Sequence, residues 1–352
     1  MWLRNNWYVC GHLDELGDDF VERRICGERV VLFRTAAGQI TALEDRCPHR
    51  MVPLSAGFRD HDEIVCGYHG MRFNADGRCT DMPGRERIHA SAKVRTFPTV
   101  ARWNLLWIWM GEPSLADLDA IPDFWWLGSP DWQACSGYLT IGADYRLLND
   151  NLLDLSHESF LHPGSIGNGK EEIIARFPVA VTAEMGRVEA CRLMNGIEVP
   201  PAFGSFMGLS GHIDRVQTAI YLPPGINLTV STMRSSEHRH PKPYEQRTLH
   251  LLTPEDEDRT HYFFVSSRNY RLNDAALDDA IIAATYHVFG EDRAMLEKQQ
   301  AALSEQPDMI PRVAWEIDEA PVLGRRLLQR LLDQEQNNCE AVHKPATLIA
   351  VD

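Results

Sequence analysis

Cys47-Pro48-His49-Arg50 and Cys66-Gly67-Tyr68-His69-Gly70 decide how this chain is read. The pattern is C-x-H, then residues 50–65, then C-x-x-H, each half in a turn-like stretch beside a strand-like run. Two short loops can bring two thiolates and two imidazoles to one place. Ligands of these types serve a structural Cys2His2 zinc site. They also serve a [2Fe–2S] centre, with two cysteines on one iron and two histidines on the other. Zinc fingers pair like ligands, C-x2-4-C with H-x3-5-H. Here each loop mixes one Cys with one His, which suits a two-iron cluster better.

Working outward, the flanking segments read as strands: 29–34, 40–43 and 105–110, with Ala37-Gly38 and Asp76-Gly77 as turns. A loop rich in Pro, Asp and Trp follows Gly111-Glu112-Pro113, and the domain boundary is expected near residue 118. Beyond it, Tyr145 to His157 reads as a helix and Gly164 to Gly169 as a small-residue loop. Runs 225–230, 248–252 and 261–265 read as strands, Asp274 to Gln300 and Arg325 to Glu335 as helices, and the tail after Asn337 as frayed. Strands then helices, without βαβ alternation, predict an α+β fold.

A second constellation lies in Asp150-Asn151-Leu152-Leu153-Asp154-Leu155-Ser156-His157-Glu158-Ser159-Phe160-Leu161-His162-Pro163. Histidines five apart on an ideal helix differ by 140° in direction. His157 and His162 can share a metal only if the helix bends, ends or bulges between them, and Pro163 favours an end at His162. A carboxylate would complete a two-histidine, one-carboxylate facial triad, the ligand set of non-haem Fe(II) oxygen activation.

Composition bounds the rest. At about 150 residues per domain, 352 residues suggest two domains, and 44% hydrophobic residues suffice for real cores. With 35 basic against 50 acidic residues, net −15, the chain lacks the basic footprint of a nucleic-acid binder. No apolar run approaches the roughly 20 residues of a membrane span. Met1 to Trp7 shows no apolar signal segment, so a cytoplasmic location is expected. The eight cysteines do not form a disulfide framework. Apart from Cys47 and Cys66, they are expected as buried apolar thiols.

The motifs Cys47-Pro48-His49-Arg50 and Cys66-Gly67-Tyr68-His69-Gly70 closely resemble the Rieske domain of ring-hydroxylating oxygenases. The extra cysteine that each loop carries in respiratory Rieske proteins is missing here. Together with D-x-x-H-x-x-x-x-H, the chain resembles the catalytic subunit of Rieske non-haem iron oxygenases end to end. The resemblance implies an all-β Rieske [2Fe–2S] domain over 1–118. It implies a helix-grip-like catalytic domain over 119–352, with an antiparallel sheet and covering helices. Cys47, His49, Cys66 and His69 would hold the cluster, and His157, His162 and Asp292 the mononuclear iron, with Glu291 as the fallback to Asp292. Asp154 would bridge His157 to a cluster histidine of a neighbouring subunit in a head-to-tail homotrimer.

Within the family the chain looks most like the vanillate O-demethylase group and related aryl methyl-monooxygenases. Val199-Pro200-Pro201-Ala202-Phe203 and the stretch from Glu291 to Gln299 carry that likeness. The implied reaction is O-demethylation of a methoxylated aromatic acid with release of formaldehyde. The cofactors would be the cluster, Fe(II) and O2. The chain has no G-x-G-x-x-G placed after a strand, so NAD(P)H and flavin would sit on a separate reductase. The acidic surface could steer a basic patch on that partner. By resemblance Asn227 and His250 are expected to touch substrate, and no arginine stands out as a carboxylate clamp. Competing readings are hydroxylation of an aryl methyl group, cis-dihydroxylation of an arene, a ferredoxin-type electron carrier and a zinc-stabilised binding module.

Overall fold

Short amphipathic strands separated by turn residues build the first unit. In chain order they are β1 (Trp7–His12), β2 (Val21–Ile25), β3 (Glu28–Arg34), β4 (Ile40–Glu44), β5 (Phe58–Asp60) and β6 (Glu63–Val65). They continue with β7 (Arg72–Phe73), β8 (Cys79–Asp81), β9 (Thr96–Phe97), β10 (Thr99–Arg102) and β11 (Leu105–Trp109). Three antiparallel sheets result, ordered β1-β11-β10, β2-β3-β4-β9 and β5-β6-β7-β8. The computed structural model describes residues 1–17, 19–167, 174–235, 242–307 and 313–343, with side chains as far as 338. Residues 168–169 of the expected small-residue loop and 344–352 of the expected frayed tail lie outside them.

The second unit adds β12 (Gln133–Ile141), α1 (Tyr145–Leu153), α2 (Glu158–Leu161), β13 (Val179–Glu184), β14 (Arg187–Glu198) and α3 (Pro201–Met207). It ends with β15 (His212–Leu222), β16 (Ile226–Ser235), β17 (Tyr244–Pro254), β18 (Thr260–Arg268), α4 (Ala275–Glu305) and α5 (Glu319–His343). Its seven strands form one antiparallel sheet in the order β12-β18-β17-β16-β15-β14-β13. The α+β fold expected from sequence is the fold observed. Among the described residues, no helix is long and apolar enough to cross a membrane.

Strand β18 is buried along its whole length because both its faces are covered. Phe263 and Val265 pack against Trp107 and Trp109 of the first unit. Tyr262 and Phe264 pack against Val288 and Phe289 of α4. Burying each such side chain contributes roughly 1.5–3 kcal/mol, so this strand is the hydrophobic seam of the molecule. A polar contact crosses the seam too. Thr253 Oγ1 of the second unit donates to Val9 O of the first at 2.6 Å, and Trp7 Nε1 ties down the end of the first unit through Asp117 O at 2.7 Å.

Two helix expectations need correction. The helix foreseen over 145–157 stops at Leu153, because Asp154 leaves the helical region at φ −83°, ψ 104° and its Oδ1 accepts from Ser156 N. The chain then restarts as the short α2. The last helix, foreseen over 325–335, is longer at both ends and spans Glu319 to His343. Of the cysteines expected as buried thiols, Cys10 and Cys26 are buried, whereas Cys79, Cys135 and Cys191 are only partly so. The Cys339 side chain lies outside the described residues.

Candidate active site

The two cysteine-histidine loops are built alike. Cys47 N donates to Val52 O and Met51 N returns to Cys47 O, at 2.8 and 2.9 Å. Cys66 N donates to Met71 O and Gly70 N returns to Cys66 O, at 2.8 and 2.9 Å. Each loop turns through a left-handed residue at the same place, Met51 at φ 60° and Gly70 at φ 73°. The thiols are buried and the imidazoles exposed, with the His49 and His69 rings 4.7 Å apart. Burial raises the Cys47 thiol, and the neighbouring Cys66 adds to the shift. Among the described residues, one group of three or more Cys, His, Asp or Glu has its donor atoms all within 4.8 Å, and it is not this one. The four loop donors therefore do not converge on a single point, as a one-ion tetrahedral zinc site requires. Their arrangement fits a two-iron cluster.

The group that does converge is His157, His162 and Asp292. His157 caps the start of α2 and His162 its end, at φ −120°, ψ 40°, so the helix ends at His162 as the five-residue spacing requires. Backbone and side-chain contacts set both rings. His157 Nδ1 lies 2.6 Å from Asp154 O; a carbonyl only accepts, so Nδ1 carries the proton and Nε2 keeps a lone pair. His162 Nδ1 lies 2.7 Å from Glu291 Oε2, and the same logic frees its Nε2. Asp292 Oδ1 is 3.6 Å from His157 Nε2 and 3.1 Å from His162 Nε2. Ligands at about 2.1 Å from one ion and at right angles lie about 3 Å apart. The donor set thus fits one divalent ion. Glu291 faces the far nitrogen of His162 rather than this point.

Helix α4 shows why Asp292 stands here. It shares the buried face with Leu277, Ile281, Val288, Phe289 and Leu296, the one carboxylate in an apolar stripe. Burial pushes Asp292 up and His162 down. The pairing of the two reverses both shifts, leaving Asp292 below the usual carboxylate range and His162 above the usual imidazole range. Asn151 Nδ2 adds a 3.1 Å hydrogen bond to Asp292 Oδ1. Arg192, fully buried on β14, holds the segment just before His157 through Leu155 O and Ser156 Oγ, at 2.8 and 3.0 Å. Asp154 is 24% exposed and His157 22%, with Asp154 Oδ2 3.8 Å from His157 Nδ1, so both side chains reach the surface.

The triad opens on a cavity of about 110 Å³. Phe203, Phe206 and Val288 give it apolar walls, and Arg215, Gln217 and His250 give it polar ones. His250 Nδ1 lies 2.6 Å from Tyr262 Oη and its Nε2 3.1 Å from Thr229 Oγ1. Burial pushes its pKa down to about 3, so the ring is neutral. Asn227 is not among the lining residues. Its Nδ2 donates to Asn149 Oδ1 at 2.7 Å, beneath α1, away from the lining where it was expected. Sequence reasoning missed Arg215 and Gln217. Their signal was present: Ile213, Arg215, Gln217, Ala219 and Tyr221 alternate along β15 and all face inward.

A cysteine-histidine cluster domain joined to a sheet-and-helix domain bearing a two-histidine, one-aspartate site defines a Rieske-type oxygenase. A Rieske [2Fe–2S] domain matches residues 6–98, and a vanillate O-demethylase oxygenase C-terminal domain matches residues 141–334. The putative toluene-4-sulfonate monooxygenase system iron-sulfur subunit of Comamonas testosteroni is 38% identical, over 95% of this chain and 98% of that protein. The vanillate O-demethylase oxygenase subunit of Pseudomonas sp. strain HR199 is 32% identical, over 97% and 98%. The crystal structure of dicamba monooxygenase bound to 3,6-dichlorosalicylic acid is similar at TM-score 0.88 and 30% identity, over 95% and 99%. The chain belongs to this family of Rieske oxygenase subunits, which carry a [2Fe–2S] cluster and a non-haem iron. The electron-carrier and zinc-module readings fall with that result.

Proposed function

We propose that this oxygenase removes the methyl group of a methoxylated aromatic acid. The observation that carries the reading is the His157, His162 and Asp292 triad at the wall of a cavity with aromatic sides. Held by these three residues, ferrous iron would supply O2 activation beside a bound substrate. The chain's own residues do the rest. Asp154 O and Glu291 fix the two histidine tautomers, and Phe203, Phe206 and Val288 hold an aromatic ring and exclude water. Oxygenation of a methyl aryl ether carbon yields a hemiacetal, which decomposes to a phenol and formaldehyde.

Cys47, His49, Cys66 and His69 are the residues that would hold the cluster, and the exposed His49 and His69 would give it its contact with the outside. We take residue 118 as the junction of the two units, at the loop where Asp117 O receives Trp7. The oxygenase is proposed to form a head-to-tail homotrimer in which Asp154 links His157 to a cluster histidine of the next subunit. Several relatives are named as oxygenase subunits or components, which supports a separate reductase as electron donor. A second reading is favoured by the 38% identical relative, named for toluene-4-sulfonate: hydroxylation of an aryl methyl group.

Single turnover separates the two. The anaerobic protein is reduced chemically, given methoxybenzoates or methylbenzenesulfonates, and exposed to O2. Formaldehyde with a matching phenol is the expected result. A benzylic alcohol, or a cis-diol, without formaldehyde would refute demethylation and leave the oxygenase intact.

A further inference from the structure

Two buried guanidiniums share one buried carboxylate beside the cavity. Arg192 and Arg215 are 0% and 1% exposed, and Glu158 is 5% exposed. Glu158 lies 3.5 Å from Arg215 Nη1 and also receives the Gln217 amide. Burial works against the charge on both arginines, and for both Glu158 is the leading group that offsets it. Half-buried Asp154 offers Arg192 a second, more distant carboxylate. Burying more positive than negative charge is costly unless something else completes it.

Only Arg215 of the two lines the cavity. Its polar contacts are incomplete. Nη2 donates to Ser231 Oγ at 3.1 Å, Nη1 to Ile166 O at 3.4 Å, and Nε is buried without a hydrogen-bond partner. A charge-assisted N–H···O contact is normally about 2.7–2.9 Å, so the 3.5 Å approach of Glu158 leaves capacity unused. The Phe203 ring lies 4.8 Å from the guanidinium carbon, placing an aromatic wall beside the charge. His250 brings no positive charge to the cavity, because burial pushes its pKa down to about 3, and its nitrogens meet Tyr262 Oη and Thr229 Oγ1.

We propose that Arg215 is the anion anchor of the substrate cavity, binding the carboxylate or sulfonate of an aromatic substrate and selecting acids over neutral arenes. This rests on the aromatic-substrate reading above and deepens it. Arg215 offers the fork of donors that matches a carboxylate, and the Ser231 hydroxyl stands beside it. The anchor comes from the sheet, whereas the metal ligands come from the helical side of the cavity.

The test is calorimetric binding to the iron-loaded oxygenase without O2. The probes are meta-methoxybenzoate, benzenesulfonate and the neutral meta-methoxybenzamide. The wild type should bind at least one acid about tenfold or more tighter than the amide. Arg215→Gln should weaken acid binding by about tenfold or more and change amide binding by less than about threefold. Arg215→Lys should keep the acid preference in reduced form. Equal weakening of acid and amide, unchanged acid binding, or no acid preference in the wild type would overturn the proposal. If Arg215→Gln does not retain its iron, Ser231→Ala takes its place and must weaken the acid selectively. Because binding is read without turnover, a chain that binds acids through Arg215 yet releases no formaldehyde refutes only the demethylation reading.

Discussion

Asp292 and Glu291 are neighbours on α4, yet their side chains meet different atoms. Asp292 faces Nε2 of both histidines, whereas Glu291 faces Nδ1 of His162. Their substitutions should therefore differ in kind. Asp292→Ala should lower iron from three to two atoms per chain with the visible spectrum of the cluster unchanged. Glu291→Gln should keep all three irons but weaken retention of the mononuclear one by about 10- to 100-fold, since an outer partner orients its ligand. Iron assays after graded chelation check both. Sequence could not separate the two carboxylates, because their difference is the 100° between successive helix positions. Asn227 falls outside the cavity lining for a related reason. Asn227, Thr229 and Ser231 share one face of β16, but parity gives the face and not the place along it. Asn227 sits beyond the cavity, under α1.

At the scale of elements, local spacing made the loops legible and long-range packing did not announce itself. The Cys47 and Cys66 loops each close on themselves, so their geometry is written within a few residues. Their mutual docking is not. A Cβ on Gly57 would lie 2.0 Å from Val65 O, and one on Gly67 would lie 2.7 Å from Ala56 O, so backbone meets backbone there. Gly57→Ala should cost about 1–3 kcal/mol of stability. Cluster content should fall while mononuclear iron persists, read by absorbance and iron count. The β17–β18 pair carries a second consequence. Burial pushes His250 to about 3 and His261 to about 4. Between these values and about 6.5 the unfolded chain binds protons that the folded chain refuses. Stability should thus fall as pH drops from 6.5 toward 4, and His261→Gln should flatten that slope in denaturant titrations.

On the scale of the whole molecule, the two-unit plan was readable because each unit carries its own motif, and 44% hydrophobic residues supplied both cores. The seam between them was not, since Trp107, Leu249 and Phe263 come from distant segments. The proposed trimer makes a complementation experiment decisive. One chain carries Asp292→Ala and the other Cys66→Ser, each on a different tag. Neither alone should turn over, and doubly purified mixed oligomers should regain activity. Mixed oligomers that stay inactive would mean that electrons do not pass between subunits.

Strand β18 is covered on both faces, by the Rieske unit on one side and α4 on the other. The cluster-bearing and iron-bearing units are thus expected to fold as one cooperative unit. The amides of β18 should be among the slowest to exchange with deuterium, and both halves should melt in a single transition. Unfolding that parts β18 then disables both centres together, whereas a defect confined to the cluster loops leaves the iron site in place. In the first case the enzyme fails as a whole, without leaving a reduced cluster to leak electrons to oxygen beside a collapsed pocket.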